Sequence, residues 1–331
     1  SGIKCYIKVN FNKTHIMKEY KIIQLSHPGK EHPGYSKSTG QFAKSSLGIN
    51  WSSDFLSGTR MWNNLIQHKR KFIFSKDAKY LDSLDGKVKT GDITFWGEWE
   101  PHSNFKIIRK DAKDFFGPRM LHFPFYDERY TGSKRHTTDP YVYGDNFWYT
   151  HCKQSTKLPN QALKHLDNNS IILMGSERNK DKKFLVDTVF VVKKKHSQKE
   201  MIENYRKLPS LLVKVNLEMD ASHLLLRDNK HSDFGFYMGK NYKDNDIFSF
   251  VPAKIYNNEN PGHERLVLDT NDKFYNLQRT GSGSVQKLVL KTSSLSDVDN
   301  YWMHLANEAF NQGFVLGVQL PEPPNEANTN I

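Results

Sequence analysis

The chain has 331 residues, 48 Lys and Arg against 36 Asp and Glu, a formal net charge of +12 and two cysteines. That length exceeds what one hydrophobic core usually serves, two cysteines exclude a disulfide framework, and no apolar run reaches the ~18 residues of a bilayer span. With 37% apolar and 13% aromatic residues and a mean hydropathy of −0.71, aromatic rings must supply much of the buried area.

Taken in chain order, alternating or β-branched runs at 4–9 and 20–25 read as strands. The second leads into a loop at 27–34 with two Pro-Gly turns, which presents His27, Lys30, Glu31 and His32 outward. A helix is expected at 58–69, carrying Met61, Trp62, Leu65 and Ile66. It is followed by the basic cluster His68, Lys69, Arg70 and Lys71 and a strand starting at Phe72. Further strands are expected at 93–96, 105–108, 170–174, 184–192, 211–215, 234–238, 247–251, 285–290 and 314–318. Ser197 with Glu200 has capping-box form ahead of a helix, and Ser294 opens another whose stripe is Val298, Tyr301, Trp302, Leu305 and Ala309, ending at Gly313. Strands outnumber helices without βαβ alternation. The expected fold is therefore α+β, with a strand-rich mixed or antiparallel central sheet and a few flanking helices. The break at Lys193–Lys195 suggests domains at 1–195 and 196–320, and the Pro-rich tail at 321–331 is expected to be poorly ordered.

Acid groups set among large rings mark the candidate site. On a strand through Trp96, Glu98 and Glu100 share one face, where two carboxylates repel and raise one pKa. Asp139 precedes a proline in a turn where Gly144 is free for positive φ, with Tyr141, Tyr143, Phe147, Trp148 and Tyr149 around it. Flat rings beside fixed acids suit a nucleobase pocket, although such segments also close cores. Asp187 is a lone acid in an apolar strand and must be paired. Its six-residue separation from Lys193 is too long for the acid-x-Lys element of metal nucleases. The His27–His32 spacing matches no zinc pattern, so neither metal nor cofactor is expected. The Gly/Ser segment at 279–284 precedes a strand and reads as a plain turn.

The excess of cations and a pI near 9.4 make nucleic acid the leading partner, DNA rather than RNA, although a codon bias toward Lys would give the same excess. A reducing cytoplasm and no membrane contact are expected, because the N-terminus lacks a signal-type apolar region. No motif fixes an oligomeric state. The segments around His27, His68, Trp96, Asp139 and Asp187 together resemble an uncharacterised bacterial protein family over most of residues 20–192, which brings no activity with it. A looser similarity, in size, charge and acid-plus-aromatic content, is to DNA glycosylases that attack modified phage DNA. Asp139, Pro140 and Tyr141 match a fragment of their Gly-Gln-Asp-Pro-Tyr-His element, without the flanking glycine, glutamine and histidine. The expected function is an N-glycosidic-bond hydrolase acting on modified bases in phage defence. Asp139 or Glu98 would stabilise the sugar cation and His27 or His32 would help the base leave. Trp96, Tyr141, Tyr143 and Trp148 would hold the base, and Lys30, Lys69, Arg70 and Lys71 the phosphates. A non-catalytic reader of nucleic acid and an enzyme acting on a free nucleotide remain open alternatives.

Overall fold

The computed structural model describes residues 18–27, 35–36, 41–42, 70–99, 101, 103–108, 120–126, 138–150, 152–154, 162–178, 182–217, 234–244, 246–278 and 285–325. The strands in chain order are β1 (Tyr20–His27), β2 (Tyr35–Ser36), β3 (Gln41–Phe42), β4 (Lys71–Leu81), β5 (Lys89–Gly97), β6 (Ser103–Ile107), β7 (Met120–Pro124), β8 (Trp148–Tyr149), β9 (Ile171–Arg178), β10 (Lys183–His196), β11 (Phe236–Gly239), β12 (Val251–Ile255), β13 (Leu266–Asp269), β14 (Val285–Thr292) and β15 (Val315–Gln319). One sheet runs β14-β1-β9-β10-β11-β8, with β13 also on β10. Another runs β15-β12-β5-β4-β7-β6, where β15 returns to pair with β4, and β2 pairs with β3 in a two-stranded sheet. Pairs β1–β9 and β4–β7 are parallel and the rest antiparallel, so this is a mixed, strand-rich α+β fold.

Side-chain alternation divides the first sheet between two cores. In β1, Ile22 enters the core under the long C-terminal helix, whereas Ile23 and Leu25 enter the core facing the 141–149 segment. In β9, Ile171 and Leu173 go to the helix side, and Ile172 and Met174 to the other. Strand β10 changes phase partway. Phe184 and Val186 share the helix side with Val189 and Val191, because a bulge between Val186 and Thr188 adds one residue. Asp187 is that residue.

The bulge requires close approach by Gly175, which pairs with Val186. A Cβ at Gly175 would collide with the Leu185 carbonyl oxygen and the Phe184 ring, both on the neighbouring strand. Gly175→Ala is expected to lower stability by about 1–3 kcal/mol through overpacking, read as a fall in the urea midpoint.

Both helix starts take the expected form. Ser197 and Glu200 make a reciprocal capping box ahead of Gln198–Glu203, and Ser294 accepts the Asp297 N–H ahead of Leu295–Asn311. Val298, Tyr301, Trp302, Leu305 and Ala309 of the long helix are all buried, and Gly313 follows at φ 72°. Four expectations change. The strand expected at 247–251 lies further on, as β12 (Val251–Ile255). Residues 211–215 are helical rather than a strand, in consecutive turns Ser210–Leu212 and Val213–Leu217. An apolar run of that length fits either state, and Pro209 at the N-cap starts the helix here. No boundary falls at 195, since β10 crosses it and β14 and β15 complete sheets begun by β1 and β4. Of the tail expected to be poorly ordered at 321–331, residues 326–331 lie outside the described residues, and 321–325 are exposed in part but held by hydrogen bonds. Tyr126 N–H donates to the Pro324 carbonyl, Tyr141 hydroxyl to Glu322, and Pro323 is buried. The expected strand at 4–9 and helix at 58–69 lie outside the described residues. Among the described residues no helix is long and apolar enough to cross a membrane.

Candidate functional site

Strands β1, β4, β5 and β10, or residues at their ends, bring polar side chains to one point between the sheets. The β4–β5 register sets Lys71 opposite Gly97, and one step further it sets Arg70 opposite Glu98. Arg70 Nη1 lies 2.8 Å from Glu98 Oε1. In β1 the parity that sends Ile23 and Leu25 inward also sends His27, whose Nδ1 is 3.5 Å from the same Glu98 oxygen. From the β10 bulge, Asp187 Oδ2 meets Arg70 Nε at 2.9 Å, while Oδ1 takes a hydrogen bond from Arg265 Nη2. That nitrogen also donates to Ser176 Oγ at 2.9 Å, and Ser176 is the cross-strand neighbour of His27. The Arg265 guanidinium sits 4.7 Å over the Trp96 ring, a cation–π contact in a site closed to water.

The turn following Thr138 supplies the remaining groups. Asp139 N–H donates to Glu98 Oε2 at 3.3 Å. Its carboxylate accepts the backbone N–H groups of Thr150 at 2.9 Å and Cys152 at 2.6 Å, which fixes the Cys152 backbone. The Tyr149 hydroxyl donates to the Cys152 carbonyl, and Lys153 takes φ 63°. The Gln154 amide donates to the carbonyls of Thr150 and Gly235 and accepts from Gly235 N–H. So held, Cys152 Sγ lies 3.3 Å from His27 Nε2. Thiol, imidazole and carboxylate stand in line, with Arg70 behind the carboxylate.

Cys152, His27, Glu98 and Asp139 are all buried. Burial pushes the Cys152 thiol well up, Glu98 and Asp139 push it the same way, and Lys153 and Arg70 pull against them. The sulfur is therefore a neutral thiol around pH 7. Among the described residues no group of three or more His, Cys, Asp or Glu is placed to hold a metal ion.

Of the residues singled out in the sequence, His27, Glu98, Asp139 and Arg70 meet at this point, whereas Lys30, His32 and Lys69 lie outside the described residues. Arg70 and Lys71 are not phosphate contacts on a rim. Both are buried, Arg70 pairing with Glu98 and Asp187 and Lys71 donating to the Trp99 carbonyl. Trp96, Tyr141 and Tyr143 do not form an open base pocket. Trp96 lies under Arg265 and donates to the His263 carbonyl, and Tyr143 packs edge-on to Trp99 and Tyr141. His27 ends a strand inside the protein instead of opening an outward loop. Asp139 spends both carboxylate oxygens on backbone N–H groups, so it positions Cys152 and does not face a substrate. The sequence reading passed over Cys152 and Arg265. Their only signals were a cysteine at the end of an acid-and-ring segment and an arginine unaccounted for beside a strand.

Fold and site together define a strand-rich α+β protein with a buried thiol–imidazole–carboxylate line. No family model, curated protein or solved structure matches this chain.

Proposed function

We propose that the protein is an acyl-transferring enzyme, a hydrolase in water, with Cys152 as covalent nucleophile, His27 as its base and Glu98 orienting the imidazole. The observation that carries this is the pair of contacts from one histidine, Nε2 to Cys152 Sγ at 3.3 Å and Nδ1 to Glu98 Oε1 at 3.5 Å. A carboxylate beside Nδ1 favours the tautomer protonated there, which leaves Nε2 to accept. As sulfur attacks the acyl carbon, the thiol proton passes to Nε2. It then passes to the departing group as that bond breaks. Water next gives a proton to His27 and its oxygen to the acyl carbon, and sulfur leaves and recovers the proton. Because burial holds the thiol protonated, proton transfer belongs to the attack step and not to the resting enzyme. The charge of +12 favours an anionic substrate, and a reducing cytoplasm would keep Cys152 a thiol.

Alkylation tests this reading. In a Cys5→Ser background, iodoacetamide is expected to label Cys152 in the native protein, with a rate that climbs through pH 9 and shows no plateau between about pH 6 and 8. His27→Ala is expected to abolish the burst of nitrophenol from p-nitrophenyl acetate, as is Cys152→Ser. Labelling only after unfolding would show that the thiol is a core residue and nothing more.

A second reading, an N-glycosidic-bond hydrolase acting on modified bases in phage defence, is supported by the meeting of Glu98, His27, Asp139 and Arg70 at one point. Here Glu98 would face the developing sugar cation and His27 would protonate the leaving base, with no need for sulfur. Modified and unmodified DNA duplexes treated with the protein and then alkali separate the two. Abasic sites that persist with Cys152→Ser and vanish with Glu98→Gln favour the glycosidic reaction, and none on any duplex rejects it.

A further inference from the structure

Cys152 and His27 are 5% and 2% exposed, so a reagent reaches the thiol only after part of the protein moves. The arm 139–144 is the part that spans the line. Its Asp139 stands between Glu98, which takes its N–H, and Cys152, whose N–H its carboxylate holds. One edge of the arm is hinged, since Tyr141 exchanges backbone hydrogen bonds with Trp148, and Trp148 and Tyr149 pair with β11. The other edge is tied to the chain at the end of β15. Gly144 N–H donates to the Leu320 carbonyl at 2.7 Å, the Tyr141 hydroxyl to Glu322 Oε1 at 2.9 Å, and Gln319 Nε2 to Asp145 Oδ1 at 2.6 Å. One more bond, from Tyr126 N–H to the Pro324 carbonyl at 2.8 Å, fastens the far end.

Pro321, Pro323 and Pro324 have no N–H to give to a ladder, so β15 ends at Gln319 and the chain runs on as a band instead of a strand. The band is lightly held. Of residues 321–324 only Pro323 is buried, and a cavity of about 190 Å³ beside them is lined both by these prolines and by Phe74, Phe123 and Phe125. Tyr143 lines the same cavity, and its hydroxyl is buried without a hydrogen-bond partner among the described residues, a cost that entering water would remove. Few buried contacts and loose packing mark a segment that opens locally, below the free energy of global unfolding. The prolines also restrict the released segment, so docking it again orders few dihedrals.

We infer that residues 321–324 are a strap whose release lets the 139–144 arm swing away from Glu98 and Cys152, and that this local opening controls access to the thiol. Its use as a gate for substrate rests on the acyl-transfer reading. The opening itself does not.

Iodoacetamide labelling of Cys152 in the full chain, in the Cys5→Ser background at one pH, measures the opening. Tyr141→Phe and Glu322→Ala each delete the hydroxyl–carboxylate bond and are expected to raise the labelling rate about three- to tenfold, the range of one net hydrogen bond. The double variant is expected to match the single ones, because both lose the same bond. Glu322 is exposed, which keeps the test valid where Tyr141→Phe does not fold. A local opening uncovers little surface, so the rates should hardly change in low urea. Gly175→Ala, which lowers global stability without touching strap or arm, is expected to leave the rate without urea at the parent value. Labelling no faster in Glu322→Ala than in the parent, or a rise that Gly175→Ala matches with a steep urea dependence, overturns the inference. Faster labelling of the strap variants with no nitrophenol burst from the parent or any variant leaves the strap standing and sinks the acyl-transfer reading. A burst with labelling that the strap variants do not change does the reverse.

Discussion

Asp187→Ala is expected to cost about 3–5 kcal/mol, enough to leave a domain of ordinary stability close to unfolding. Asp187 is the carboxylate shared by two buried arginines, Arg70 at Oδ2 and Arg265 at Oδ1. Deleting it leaves Arg70 with Glu98 as its one remaining carboxylate partner and takes the Asp187 carboxylate from Arg265, and neither guanidinium can reach water, since Arg70 is 1% and Arg265 6% exposed. The loss is that of stranding a buried charge, not of the attraction in one ion pair. The double replacement Asp187→Leu with Arg265→Met removes one charge of each sign and leaves the Arg70–Glu98 pair intact. It is therefore expected to be markedly more stable than Asp187→Ala alone. Urea unfolding followed by circular dichroism reads both. A loss below about 1 kcal/mol for Asp187→Ala, the range of exposed pairs, would mean that water reaches this network.

The same acid shows how much of the site was legible. A lone carboxylate in the run from Phe184 to Val192 announces that a partner exists, because an unpaired charge could not remain in such a strand. It does not say who the partner is. Arg70 comes from the edge of β4 and Arg265 from the approach to β13, so the pairing is a product of sheet order. Arg70 beside His68, Lys69 and Lys71 reads as a surface cluster for the same reason. Composition cannot reveal that the next strand places Glu98 opposite one member of a basic run. His27 was misplaced by its Pro-Gly neighbours, which signal a turn strongly, whereas the parity of Ile23, Leu25 and His27 signals burial more quietly. The long C-terminal helix was legible in full because its cap, stripe and terminal glycine are all local. The aromatic residues from Tyr141 to Tyr149 were ambiguous in principle. A ring that closes a core and a ring that waits for a ligand leave the same letters, and here Tyr141, Tyr143 and Trp148 are all buried.

High pH is expected to unfold this protein more readily than one with exposed tyrosines. Burial raises the pKa of Tyr141, Tyr143, Tyr149, Tyr237 and Tyr301 above the usual 10, and that of the Cys152 thiol well above its own. The unfolded chain therefore releases these protons first. Each group contributes stability that is complete below its unfolded pKa and drains away as pH climbs toward the folded value, by about 1.4 kcal/mol per group per pH unit. The decline begins near pH 9 with Cys152 and steepens above 10, where the five tyrosines act together. By pH 11 the loss is on the order of 10 kcal/mol, comparable to the whole stability of a domain. Thermal melts between pH 7 and 11 should show the melting temperature nearly level to about pH 9 and then falling with increasing slope. Tyr143→Phe isolates one member of the set. Its hydroxyl has no hydrogen-bond partner among the described residues, so its removal is expected to leave stability at pH 7 unchanged or up to about 1 kcal/mol higher. At pH 11 the same variant should exceed the parent by about 1.4 kcal/mol more than it does at pH 7. Equal differences at the two pH values would mean that the Tyr143 ring meets solvent in the folded protein.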